Sequence, residues 1–204
     1  TERALHIGVD GRELLGQATG VGRYLREILR EWTGDAAWPH RLSIVVPAPP
    51  PDELVAALGP RASWIVAASP TRGTAWEQWH LPRALRHART DVLLAGAYTA
   101  PVFCPCPFVL VIYDVSYFAH PEWFGAHEGL RRRWLTRAAA RRASAVTTIS
   151  AFSAAEIERW IGVPASQILL APPGAPARAT PAHSEPVAAA ARERLVLFVG
   201  SLFR

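Results

Sequence analysis

Three groups of residues in this chain combine type and spacing in ways that could do chemistry. Gly20-Val21-Gly22 opens a helical segment soon after a first strand that ends at Asp10. Glycines at a strand-to-helix junction let backbone N–H groups approach an anion, and the helix dipole favours negative charge there. Phosphate contact is one reading and a purely structural turn is the other. A dinucleotide fingerprint is a poor match, because the third glycine position holds Leu25 and the second strand ends in Pro47 instead of an acid for ribose. Next come Asp114 and His120 after the fifth strand. Asp114 stands where α/β proteins bind ligands, and either positions a substrate hydroxyl or caps the next segment. His120 reads as structural or as part of a site, and Glu122 as a helix-start acid near Trp123. Finally, Asp10 and Glu13 are a carboxylate pair, although glycoside hydrolysis would need them facing across a sugar ring and nothing in the sequence places them so.

Composition excludes other chemistries. All 22 cationic residues are arginine. A P-loop lysine, a Schiff-base lysine and a pyridoxal-phosphate anchor are therefore absent, and a guanidinium cannot replace an amine that must lose its proton. There is no serine-nucleophile elbow and no metal-binding histidine pair; His80 and His87 read as surface or half-buried residues, and neither metal nor cofactor is expected. Cys104 and Cys106 sit too close for an unstrained disulfide and are too few for zinc, so they read as small core residues in a reducing compartment. Trp76, Trp79, Trp123 and Trp134 are expected in the core more than as sugar platforms. The net charge of +5 is carried entirely by residues 128–142, with six arginines against one acid. That segment is either a solvated helix face or a cationic surface for an anionic membrane or a phosphorylated substrate. Nucleic acid is not expected, since zinc-finger, helix-turn-helix and RNP-like patterns are missing.

These groups need a frame, and the apolar runs supply one. Strands are expected at Leu5–Asp10, Leu42–Pro47, Ser63–Ala67, Val92–Ala95, Phe108–Tyr113, Ala145–Ile149, Ile168–Ala171 and Leu195–Val199. Most are continuous, as for parallel strands covered on both faces. Helices are expected at Gly22–Trp32, Asp52–Leu58, Ala75–His87, Gly129–Ala143 and Ser153–Trp160, with Asp52 as an N-cap and Ser153 three residues before Glu156 as a capping box. The alternation predicts an α/β, doubly wound parallel sheet. Residues 92–113 carry no charge, but Pro101, Pro105 and Pro107 make two strands and a loop a better account than a membrane helix. No leader is apparent. Residues 1–174 read as one domain, 175–194 as an alanine- and proline-rich linker, and 195–204 as the first strand of a second domain.

The strings VDGRELLGQATGVGRYLREIL, WEQWHLPRAL, VIYDVSYFAHPEWF, RRRWLTRAAARRASAVTTISAFSAAEI, GVPASQILLAPPG and LVLFVGSLFR together resemble family 4 glycosyltransferases, in particular group 1 enzymes of bacterial surface polysaccharide, several of them mannosyltransferases. The resemblance implies the N-terminal half of a GT-B fold, with two Rossmann-like domains facing a cleft. It implies transfer of a sugar, mannose among the candidates, from a nucleotide-sugar to a glycan or lipid-linked acceptor, with retention of configuration and no essential metal. Donor phosphate would meet Gly20, Val21, Gly22 and Arg204; Ser150, Phe152 and Ser153 would line the acceptor side. Asp114, His120 and Tyr113 would be the catalytic group. Many members carry histidine where this chain has Tyr113, and a phenol is a poor proton shuttle at neutral pH. A cytoplasmic protein touching the inner face of the membrane is the expected setting, and the chain by itself is expected to be inactive. The competing reading is a non-catalytic basic α/β module that binds a phosphorylated glycan or an anionic membrane.

Overall fold

A computed structural model describes residues 3–16, 20–71 and 73–174. Seven strands form one all-parallel sheet: β1 (His6–Asp10), β2 (Arg41–Val46), β3 (Ala62–Val66), β4 (Val92–Ala95), β5 (Phe108–Val111), β6 (Ala145–Thr148) and β7 (Ile168–Leu170). Their order is β3-β2-β1-β4-β5-β6-β7. The chain runs outward from β1 to one edge, then returns to β4 and proceeds to the other, so the order reverses between β1 and β4. Six helices accompany them: α1 (Gly20–Gly34), α2 (Asp52–Leu58), α3 (Gly73–Ala88), α4 (Ser116–Ala119), α5 (Ala126–Ala140) and α6 (Ala151–Ile161). The expected doubly wound α/β architecture is the one found, and the first seven expected strands are all present within a residue or two at most ends.

Successive strand residues point to opposite faces, which explains why the runs are apolar throughout. Leu93, Ala95, Leu110 and Ile112 enter one core beside Trp76, Leu81 and Leu85 of α3 and Ile157 of α6. Leu94, Val111 and Tyr113 enter the other, beside Leu25 and Leu29 of α1 and Leu58 of α2. The chargeless stretch resolves into β4 and β5 joined by a proline-rich loop without a helix. Within that loop Cys104 and Cys106 are half-buried against the first core, not inside it.

Local signals explain the remaining adjustments. The N-cap of α6 is Ser150, whose Oγ accepts the Ser153 N–H at 3.0 Å, so the cap precedes the expected Ser153 by one turn. Gly162 closes the helix in the left-handed conformation, φ +83°. Asp52 is the first residue of α2, and Pro51 holds the cap position. Pro82 lies inside α3 and frees the backbone there; the side chain of Gln78, one turn earlier, ties the helix to the β4–β5 loop through Val102 N–H at 2.7 Å and Ala100 O at 3.3 Å. Of the four tryptophans expected in the core, only Trp76 is buried; Trp79, Trp123 and Trp134 are exposed. They lie at helix and loop positions turned away from the sheet, where apolar character alone does not decide burial. The expected linker 175–194, the strand Leu195–Val199 and Arg204 lie outside the described residues.

Candidate functional site

In open parallel sheets the carboxyl ends of the strands flanking the order reversal splay apart and leave a crevice. Here that point lies between β1 and β4, and a pocket of about 300 Å³ opens there. Five segments wall it: the turn after β1 (Arg12, Glu13), the first turn of α1 (Val21), the start of α3 (Gly73, Thr74, Glu77), the loop after β4 (Ala97, Tyr98, Thr99), and α5 (Arg131, Arg132, Leu135).

Its deepest part is a buried ion cluster. Asp10 is 3% exposed and Glu77 1%, and Arg12 bridges them. Arg12 Nη2 stands 2.6 Å from Asp10 Oδ2 and 3.0 Å from Glu77 Oε2, its Nε contacts both Asp10 oxygens at 3.0 Å, and Nη1 donates to Gly73 O at 3.2 Å. The guanidinium also lies 5.7 Å over the ring of buried Trp76. Thr99 Oγ1 donates to Glu77 Oε2 at 2.9 Å. Burial pushes the Glu77 carboxyl above its usual range, with Arg12 opposing. Burial likewise disfavours charge on Arg12, but the two carboxylates outweigh it and hold its proton more firmly than usual. The expected pair Asp10 and Glu13 is thus replaced by Asp10 and Glu77, brought together from β1 and α3. Glu13 instead lines the pocket.

Tyr98 links this pocket to the expected catalytic residues. It sits at φ +62°, an uncommon conformation for a bulky side chain, and its hydroxyl donates to Asp114 Oδ2 at 2.9 Å. The other Asp114 oxygen accepts from Ser116 N–H at 2.9 Å and Ser116 Oγ at 2.6 Å, an Asx turn that starts α4. Asp114 therefore caps the following segment and fixes Tyr98. Tyr113 is buried, and its hydroxyl donates to Gly96 O at 3.0 Å. Burial raises its pKa well beyond the ordinary phenol range. His120 lies apart from both: it stacks on Trp123 with ring centroids 4.1 Å apart and contacts Glu122 Oε1 at 3.1 Å through Nδ1, both on the exposed surface. Its contact lowers the Glu122 carboxyl, second to a hydrogen bond from the Glu122 backbone itself.

The glycine turn behaves differently from residue to residue. Gly20 is exposed at the first turn of α1, Gly22 is buried, and Val21 faces the pocket. Tyr24, one turn on, carries α1 across the sheet ends: its ring packs edge-on against Tyr113 at 5.4 Å and its hydroxyl reaches Ala171 O at 2.6 Å. Of the glycine turn only Val21 lines the pocket, and Asp114, which does not line it, is tied to it through the Tyr98 hydroxyl. Ser150 and Ser153 are engaged in the α6 cap, Ser150 Oγ donating to Ser153 Oγ at 3.0 Å, while Phe152 is exposed.

A family model described as Glycosyltransferase Family 4 matches residues 18–178. The chain belongs to glycosyltransferase family 4. The match spans α1 through β7 and includes most of the pocket walls. Among solved structures, that of Anabaena HepE in complex with UDP and glucose matches with a TM-score of 0.55 at 18% identity, covering 84% of this chain and 45% of that one. A mutant of the Thermobaculum terrenum O-GlcNAc transferase matches with a TM-score of 0.36 at 14% identity, over 85% of this chain and 45% of that one. The chain thus spans less than half the length of either neighbour. No curated relative matches it. The likeness to HepE fits the Rossmann-like sheet seen here. Among the described residues of this family 4 chain no helix is long and apolar enough to cross a membrane, and no three His, Cys, Asp or Glu side chains are grouped to hold a metal ion.

Arg12, Glu77, Thr99, Tyr98, Arg131 and Arg132 were not singled out by sequence as parts of one site. One signal was available: Glu77 stands beside Trp76 and four residues before Leu81, both fully buried, so a charge occupies a core-facing stripe of a helix.

Proposed function

We propose that this chain is the acceptor-side half of a GT-B glycosyltransferase that moves a sugar from a nucleotide-sugar to a glycan or lipid-linked acceptor. The observation that carries the reading is the walled crevice at the sheet's order reversal, inside the region matched by the family model. Transfer develops negative charge on the leaving diphosphate and positive charge on the anomeric carbon, so the enzyme must supply aligned donors and hold the acceptor hydroxyl in line. Backbone N–H groups at the start of α1 suit the diphosphate. The acceptor lies against Tyr98, Thr99 and Glu77, and Asp114 holds Tyr98 in place. His120 enters the reaction if its loop moves over the crevice. Retention of configuration, independence of metal and mannose as the sugar belong to the same reading.

The test is a protein carrying both halves, assayed with a panel of donors that includes UDP-glucose and GDP-mannose, with product stereochemistry read by NMR. Transfer is expected from that protein and not from the chain Thr1–Arg204. Tight saturable donor binding by the chain alone would contradict the division of labour.

The setting proposed is the inner membrane surface. On α5, Leu130 and Trp134 are 62% and 61% exposed, and the helical repeat puts Arg137 and, just beyond the helix, Arg141 below them on the same side. Apolar side chains flanked by arginines suit an interface of anionic lipid. Flotation with phosphatidylglycerol vesicles is expected to weaken with added salt and on Trp134→Ala. Equal binding to phosphatidylcholine vesicles would exclude it.

A further inference from the structure

The arginines of α5 do not form one surface. While Arg137 and Arg141 share a side with Leu130 and Trp134, Arg131 and Arg132 turn with Leu135 into the pocket. Arg131 is exposed at the rim and donates through Nη1 to Thr74 Oγ1 at the start of α3. Among the described residues it has no carboxylate within ion-pair distance. Arg132 has only a long contact with Glu128, 3.6 Å, and stands 5.6 Å over the Tyr117 ring. Arg12, in contrast, is fully engaged by Asp10 and Glu77. That cluster sets two carboxylates against one guanidinium, and Glu13 lines the pocket beside it. Guanidinium charge without a close carboxylate partner therefore lies at the rim, where Arg131, Arg132 and Thr74 line the pocket. Guanidinium forks match phosphate oxygens, whereas a buried carboxylate and hydroxyl match the hydroxyls of a neutral ring.

We propose that the acceptor is a phosphorylated sugar, its ring beside Tyr98 and Thr99 and its phosphate held by Arg131 and Arg132. The inference rests on the reading of the crevice as the acceptor's seat, but its test needs neither donor nor turnover. Mannose 6-phosphate, mannose and inorganic phosphate are titrated into the protein by calorimetry. The sugar phosphate is expected to bind about tenfold tighter, or more, than either of its parts, and to weaken with salt. Arg131→Gln with Arg132→Gln removes that advantage, while Arg141→Gln with Arg142→Gln, which loses the same charge outside the pocket, keeps it. Should the first pair perturb folding, Arg131→Gln alone, at an exposed position, must still lower the affinity. The idea is overturned if mannose or phosphate alone binds as well as the sugar phosphate, or if both arginine pairs act alike. It is also overturned if Arg131 and Arg132 govern only binding to phosphatidylglycerol vesicles, which assigns them to lipid headgroups. Failure of the two-domain protein to transfer sugar, with sugar-phosphate binding intact, would defeat the enzyme reading and leave this site standing.

Discussion

Replacing Arg12 by methionine is expected to destabilise the fold by about 3–5 kcal/mol, the usual cost of removing one partner from a buried ion pair. Asp10 and Glu77 are almost wholly out of water, and Arg12 is the cation that bridges them. The loss follows less from the missing attraction than from two like charges stranded together in a low-dielectric pocket. Two comparisons make this specific. Adding Asp10→Asn and Glu77→Gln to Arg12→Met should recover much of the loss, because neutral groups of the same shape no longer repel. The deficit should also depend on pH in a defined direction. Glu77 already titrates above its ordinary 4.5 because of burial, with Arg12 pulling it down. Without Arg12 it titrates higher still, so the folded state keeps its proton while the unfolded chain releases it, and stability falls as pH rises through that window. Urea unfolding should therefore show a larger gap between variant and wild type at pH 8 than at pH 5. A gap that is constant with pH, or a triple variant no better than the single one, would mean that the cluster is not held by charge.

The sheet was readable because its physics is local. Parallel strands covered on both faces must be apolar at every position, and Leu93, Leu94 and Ala95 or Leu110, Val111 and Ile112 advertise this without reference to anything distant. The same argument placed β4 and β5 on either side of the prolines. The site was less readable, because it is an intersection. Asp10 ends β1 and looks like a ligand-facing acid, but its partner arrives from α3 and its counterion from the turn after β1. Asp114 lies three residues beyond β5, and whether it touches substrate or backbone depends on Tyr98 and Ser116, which only the fold brings to it. Tyr113 illustrates the converse. Its position suggested contact with a sugar, while its hydroxyl is used by Gly96 O inside the second core. The arginine segment was legible as a charge and illegible as a geometry, because the angular offset between Arg131 and Trp134 matters only once α5 is docked beside α3.

Trp76→Ala should rank beside Arg12→Met in cost, at about 3–5 kcal/mol, for a different reason. Trp76 is fully buried among Leu81, Leu85 and Val45 in the core that lies beneath α3. Truncation removes a large apolar surface and leaves a cavity that the surrounding strands cannot close, since β2 and β4 are fixed by their ladders. It also removes the ring under the Arg12 guanidinium and the Nε1–H donor that serves Ala67 O at 2.8 Å. Trp76→Phe separates these contributions: it keeps most of the bulk and an aromatic face for Arg12 but drops the hydrogen bond, so about 1–2 kcal/mol is expected. Thermal or urea unfolding of both variants decides the matter. If phenylalanine costs as much as alanine, the hydrogen bond to Ala67 dominates and the core around Trp76 is looser than its burial implies. If both are mild, the floor of the pocket does not depend on this ring. The expected ordering, alanine far worse than phenylalanine with the cost independent of pH, distinguishes a packing loss here from the charge-driven loss at Arg12, although Trp76 lies directly beneath that guanidinium.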